Sequence, residues 1–224
     1  MFTKDIVNFK VDVMYIYGEL YVGKYMPDSL NHQLPTLRQA YLYPLFSRYK
    51  KLGNKLYTNF DKEVYLFVDL NYEGKKTFRR LWQQLLPYRR MLSYRVGPKW
   101  TQGKLKIILT GHAPKLLIEK MHSSYVAFQG EFNQEDLAKD NNMVPVIGMD
   151  FREVVDWNGV GNIPFDDFVK FETIASKVHD KGKKLHVYNI PENQSVWEVL
   201  NRNGVDLIST RKPEQFQSFI ANAK

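Results

Sequence analysis

Strand-like and helix-like runs alternate along the whole chain, and no other feature restricts its fold as much. The runs Ile6–Val13, Val64–Leu70, Leu105–Leu109, Tyr125–Phe128, Val144–Met149, Leu185–Tyr188 and Val205–Ser209 are rich in β-branched and aromatic residues. Gly, Asn, Asp or Lys bounds them, as strand ends require. Between them lie Leu42–Leu52, Lys75–Leu92, Pro114–Met121, Phe165–Asp180, Val196–Asn203 and Pro213–Ala223. In these, apolar residues recur at helical spacing: Phe78, Leu81, Trp82, Leu85 and Leu86 in one, Phe168, Phe171, Ile174, Ala175 and Val178 in another. Such alternation indicates parallel βαβ units. Seven strand units are visible where a closed barrel of this kind has eight. No linker or low-complexity tract divides the 224 residues, so residues 1–224 are expected to form a single (β/α) barrel domain.

Local chemistry supports several boundaries. Pro164 with Asp166 and Asp167 suits a helix start, where carboxylates meet the positive end of the dipole. Gly182 suits its stop, and Ser195 or Asn193 is positioned to cap the next helix.

Hydrophobic residues make up 44% of the chain and aromatics 14%, enough for a packed core. No apolar run reaches the length of about 18 residues that a membrane span needs. The first residues lack an apolar signal-peptide core, since Asp5 and Asn8 interrupt them. This reading leaves the compartment undetermined. Zero cysteine excludes disulfides, thiolate metal sites and cysteine nucleophiles. The net charge of +8 favours anionic partners such as phosphate esters, nucleic acid or an acidic membrane surface. The same charge also arises from solvated helix faces. The basic clusters fall on helical runs, the outside of a barrel, without a nucleic-acid motif, so no nucleic-acid partner is expected.

The first strand carries the chemistry of most interest. Phe9-Lys10-Val11-Asp12-Val13 leads into Tyr17-Gly18-Glu19-Leu20-Tyr21-Val22-Gly23-Lys24, a strand running into a β-hairpin. Residues two apart in a strand point the same way, so Lys10 and Asp12 share a face.

This segment resembles the second strand and hairpin of the glycerophosphodiester phosphodiesterase and phosphatidylinositol-specific phospholipase C superfamily, in particular its bacterial branch. The likeness continues through Thr36-Leu37, Tyr41-Leu42-Tyr43-Pro44-Leu45 and Leu66-Phe67-Val68-Asp69-Leu70. It then runs through Ile107-Ile108-Leu109-Thr110-Gly111, Trp157-Asn158-Gly159, Leu185 to Pro191, and Trp197 followed by Gly204-Val205-Asp206-Leu207-Ile208. The resemblance implies a TIM-type (β/α) barrel that cleaves phosphodiesters with a bound Mg²⁺ or Ca²⁺. A hard cation takes oxygen ligands and polarises the phosphoryl group. Paired histidines then take and return protons.

The chain departs from that pattern. The family's first strand, with its histidine motif, has no counterpart before Ile6. Lys10 stands for the Glu of a Glu-x-Asp metal pair, and Lys24 for the histidine after the hairpin glycine. Gln129-Gly130-Glu131 replaces an acidic-Gly-Arg stretch, His186 a basic residue of the seventh strand, and Thr210-Arg211 a Thr-Asp ending. By resemblance, Asp12 and Asp69 are the remaining metal-ligand candidates, Lys24 and His186 the catalytic candidates, and Lys10, His112, Tyr188 and Arg211 the substrate-binding candidates. Two readings of the carboxylates stay open: ligands of a divalent cation, or partners of the Lys10 ammonium in an internal ion pair. The cofactor is accordingly none, or Mg²⁺ or Ca²⁺ if the site is intact.

The expected function is that of a phosphoric diester hydrolase family member acting on glycerophosphodiester or phosphoinositide-type substrates, with weak or no activity. The alternative is a non-catalytic barrel or truncated gene product that binds an anionic ligand. The expected partner is a phosphate-ester small molecule or lipid headgroup. A strand missing from the barrel would expose edges, which favours a dimer there. Relatives of this branch are often exported.

Overall fold

The computed structural model describes residues 8–26, 34–58 and 61–222. Residues Met1–Asp5, which precede the first strand and are one candidate to fill the gap of the missing strand, lie outside them. Contacts divide the chain into two compact units, residues 1–128 and 129–224.

The first unit contains β1 (Phe9–Ile16), β2 (Glu19–Val22), α1 (Tyr43–Lys51), β3 (Val64–Leu70), α2 (Gly74–Leu85), β4 (Tyr94–Val96), β5 (Lys99–Thr101), β6 (Leu105–Gly111), α3 (Lys115–Lys120), β7 (Ser123–Ser124) and the start of β8 (Val126–Glu131). β1, β3, β6 and β8 pair in parallel, with β2 folded back antiparallel on β1. β4, β5 and β7 form a separate small sheet. In the parallel ladder Val11 pairs with Val68 and Val68 with Leu109, while Asp12 pairs with Asp69 and Asp69 with Thr110. Side chains alternate across a sheet, so these rows lie on opposite faces. Val13, Leu66, Val68, Leu70, Ile107 and Leu109 are fully buried on one face. Lys10, Asp12, Asp69 and Thr110 share the other with Phe67 and Ile108.

Helix α2 buries Phe78, Leu81 and Leu85, each contributing about 1.5–3 kcal/mol by leaving water. The single helix expected over Lys75–Leu92 is two elements: the α-helix stops at Leu85, and Leu86–Met91 continues as 3₁₀. Pro87 has no N–H to donate back, which ends the α-helical ladder. The tighter turn also rotates Leu86 off the apolar face, and it is 40% exposed.

The second unit holds the end of β8, α4 (Gln134–Ala138), β9 (Val146–Asp150), α5 (Phe151–Val154), α6 (Phe165–His179), β10 (Lys184–Tyr188), α7 (Gln194–Arg202), β11 (Leu207–Ile208) and α8 (Pro213–Asn222). Here too the strands are parallel, in the order β8, β9, β10, β11. Helix α6 begins after Pro164 with Asp166 and Asp167 in its first turn, and Gly182 beyond its end has φ +67°. Asn193 caps α7, its side chain accepting from the Val196 N–H at 3.0 Å. Among the described residues there are seven parallel strands, the number read from the sequence.

Candidate functional site

Asp12, Asp69 and Thr110 reach one row because three neighbouring parallel strands are in matching register. Asp69 and Thr110 sit in the C-terminal halves of their strands, and Asp12 sits at the middle of β1. Lys10, two residues before Asp12 on the same face, places its ammonium 3.5 Å from Asp69 Oδ2. The lysine side chain is 38% exposed and the aspartate 16%. Thr110 donates its hydroxyl to the same carboxylate at 2.8 Å. Behind them, Gly111 has φ +68°, and a Cβ there would overlap Asp69 Oδ1. The glycine lets the β6 backbone pass close against the aspartate.

Asp12 lies near the buried Tyr41 ring. Burial, and after it the Asp12 carboxylate, pushes the Tyr41 phenol above its usual range. The Asp12 carbonyl accepts from Gly23 N–H at 2.9 Å, and Asn71 reaches the Gly23 carbonyl at 3.4 Å. The end of the hairpin is thereby tied to the strand and to the loop after β3. Lys24, one residue further, is exposed and lies 5.6 Å from the centre of the Tyr25 ring. His112 is exposed at the end of β6, with Nδ1 3.3 Å from the Leu70 carbonyl oxygen.

The other sequence candidates belong to the second unit. His186 is 3% exposed. Its Nδ1 lies 2.7 Å from Gln129 Oε1 and its Nε2 2.8 Å from Ser209 Oγ. A carboxamide oxygen only accepts, so Nδ1 donates to Gln129, and the serine hydroxyl, able to donate or accept, partners Nε2. Gly148 makes this possible, since a Cβ there would overlap the Gln129 side chain. Tyr188 packs with its ring centre 5.7 Å from that of His186. Arg211 is exposed, and its backbone N–H donates to Glu192 at 2.8 Å.

Sequence reading missed Thr110 and Gly111 beside Asp69, and Gln129 and Ser209 beside His186. The glycine is the one signal that was available, because a glycine closing an apolar strand marks a close approach. The others follow only from register.

The donor set does not fit a divalent cation. Among the described residues no group of three or more His, Asp or Glu side chains is placed to hold a metal. Asp12 and Asp69 supply two carboxylates, and the Lys10 ammonium stands at one of them. Ca²⁺ takes six to eight oxygens and Mg²⁺ near-octahedral geometry, whereas this arrangement satisfies the carboxylate with protein cations and hydroxyls. What it offers chemically is a pair of carboxylates, one of them neutralised, beside exposed cations.

Comparison with known proteins places these features in a family. The family model for the AIM6-like phosphodiesterase domain matches residues 2–129. No curated protein matches the sequence. Among solved structures, the chain is similar to a glycerophosphodiester phosphodiesterase from Parabacteroides distasonis, with 14% identity and a TM-score of 0.57 over 97% of this chain and 85% of that one. It is also similar to a glycerophosphodiester phosphodiesterase from Thermotoga maritima, with 12% identity and a TM-score of 0.46 over 93% and 83%. The likeness to the Parabacteroides structure establishes the fold expected from the strand alternation, a TIM-type (β/α) barrel. The match over more than half of the sequence identifies the chain as a member of the AIM6-like phosphodiesterase domain family.

Proposed function

We propose that this protein is a phosphoric diester hydrolase family member with weak or no turnover, whose site takes the phosphodiester of a glycerol- or inositol-type headgroup. The observation that carries this reading is the Lys10 ammonium 3.5 Å from Asp69, in the row that carries Asp12. A phosphodiester bears one negative charge. Lys10 and Lys24 are point cations suited to it, while Asp12 and Asp69 are the acceptors for hydroxyls of the alcohol portion. Acid–base catalysis contributes typically about 10²–10⁴-fold. Lys24 stands where the resemblance has an imidazole, and nothing among the described residues holds it in place for proton transfer: its ammonium lies 5.6 Å from the Tyr25 ring centre.

A non-catalytic barrel that binds the anion alone is the second reading, and His186 favours it. Both ring nitrogens face hydrogen-bond partners and the ring is buried, so this imidazole is engaged in structure.

Hydrolysis of glycerophosphodiesters and of a chromogenic phosphodiester, with Mg²⁺ or Ca²⁺ supplied, tests both readings. The expected result is turnover near the uncatalysed rate, with binding of a soluble glycerophosphodiester detectable by calorimetry and weakened by Lys10→Ala. Metal-dependent turnover abolished by Asp12→Ala would overturn the proposal. Absence of any anion binding would overturn both readings.

A further inference from the structure

Three tyrosines and a leucine stand exposed in segments of the first unit that follow its strands. Tyr17 is 91% exposed, Tyr25 and Leu116 73% each, and Tyr72 40%. Tyr17 forms the tip of the hairpin after β1, Tyr72 follows β3, and Leu116 lies in α3 after β6. Parallel strands bring these three loops to the same side. Contacts join them: Asn71 donates to the Gly23 carbonyl, beside Tyr25, and Gly74 packs against the His112 carbonyl.

Tyr17 stands out for its backbone. Its φ is +44° and that of Gly18 is +83°. Two successive positive φ values make a type I′ turn, where Asn, Asp or Gly is the ordinary first residue. A bulky side chain is disfavoured there, and this ring is covered by almost nothing in its own chain. Strain retained at an exposed tip points to a surface outside the molecule.

Charge indicates which surface. Glu19 in the hairpin is bound by Arg80 at 3.0 Å and by Gln84, and Glu73 by Lys76 at 2.6 Å. With these acids paired, Lys24 beside Tyr25 follows the Gly23 that Asn71 contacts, and so adds a cation on the side of the Tyr72 loop, on a chain of net charge +8. Tyrosine rings interleaved with lysines suit a bilayer interface, where the ring sits at headgroup level and the ammonium meets lipid phosphate. Single side chains on three separate loops do not suit a bound peptide. No helix among the described residues is long and apolar enough to cross a membrane.

We infer that this end of the first unit docks on an anionic phospholipid bilayer, with Tyr17 entering the interface first. The inference deepens the proposed function by naming where its phosphodiester would be met. It is tested by binding alone, so it stands or falls apart from turnover and from soluble-headgroup binding.

The experiment is cosedimentation of the full chain with vesicles of phosphatidylcholine, alone or mixed with phosphatidylglycerol. Binding is expected on the mixed vesicles and is expected to weaken with salt. Tyr17→Asn and Leu116→Ser are each expected to lower the partition coefficient about tenfold, the scale of one side-chain burial. Asn is at ease in this turn, so Tyr17→Asn should melt no lower than the parent chain, which separates lost docking from lost folding. Emission of Tyr17→Trp, corrected for the parent's tryptophans, should shift to shorter wavelength on the mixed vesicles. No binding to mixed vesicles, or equal binding by Tyr17→Asn, would overturn the inference. So would a lipid-free dimer that Tyr17→Asn dissolves, since the surface would then belong to a second copy.

Discussion

Replacing Lys10 by Glu should convert the carboxylate row into a divalent cation site. The substitution removes a cation 3.5 Å from Asp69 and adds a third carboxylate on the face that already carries Asp12 and Asp69. At that distance, with an effective dielectric near 20, the ion pair is worth about 5 kcal/mol before screening. The Lys10 side chain is 38% exposed, which reduces the net contribution to about 1 kcal/mol. Loss of the pair and crowding of three carboxylates should therefore lower stability modestly in the absence of metal. Weak calcium sites bind at about 10⁻⁴–10⁻³ M. Calcium at about 100 times such a dissociation constant stabilises the folded state by about 2.7 kcal/mol. For a chain of this length that raises Tm by about 5–10 °C. The assay is thermal unfolding with Ca²⁺ or Mg²⁺ at matched ionic strength, for the parent chain, Lys10→Glu and Lys10→Met. A large metal-dependent rise is expected for Lys10→Glu alone. An equal rise in the parent chain would show that the ammonium does not compete with metal. A folded Lys10→Glu with no rise would show that the row does not converge on one point.

Gly111→Ala should cost about 1–3 kcal/mol, because φ is +68° and the new Cβ overlaps Asp69; denaturant unfolding measures it. Lys183 is 2% exposed and donates to the carbonyls of Lys139 and Val144 and to the Asn141 side chain, so Lys183→Met, which strands those acceptors, should cost about 1–3 kcal/mol. Burial lowers the Lys183 pKa, and a lysine depressed in the folded state binds fewer protons than in the unfolded one. Stability should consequently rise as pH climbs from that lowered value toward about 10.4, a rise absent in Lys183→Met when urea midpoints are compared across pH. Tyr41 and Tyr57 are both raised, burial being the main cause, so their contribution is whole below about pH 10 and is lost as pH passes through the folded values. Tyr41→Phe should weaken that alkaline loss in the same titration.

The strands were legible because parallel strands buried on both faces read as continuous apolar runs. Val64–Leu70 is such a run, and its predicted and observed limits coincide. The small sheet of β4, β5 and β7 was not legible: its strands are two or three residues long and include Arg95, Lys99 and two serines. The short helices α4 and α5 were also missed, since four or five residues do not show a period. At the candidate site the Lys10–Asp69 pairing followed from the face shared by Lys10 and Asp12. Which residue of β6 stands beside Asp69 depends on ladder register, and nothing local in Ile107–Gly111 specifies it. The Gln129–His186–Ser209 chain has the same origin, linking β8, β10 and the residue after β11, far apart in sequence.

The hairpin also governs how the sheet of the first unit ends. β2 is its outer strand, four residues long, and the N–H of Val22 already donates to the Pro35 carbonyl at 2.9 Å, with Tyr21 bridged to Thr36. Pro35 has no N–H of its own to offer beyond that contact. A second molecule approaching along this side would meet a short border whose polar groups are partly spent, and sheet growth would stop there. Concentrated solutions should therefore resist intermolecular β-pairing at this border, and changes that lift the Pro35–Thr36 segment away, more than changes in the strand itself, are the ones that would invite fibre formation.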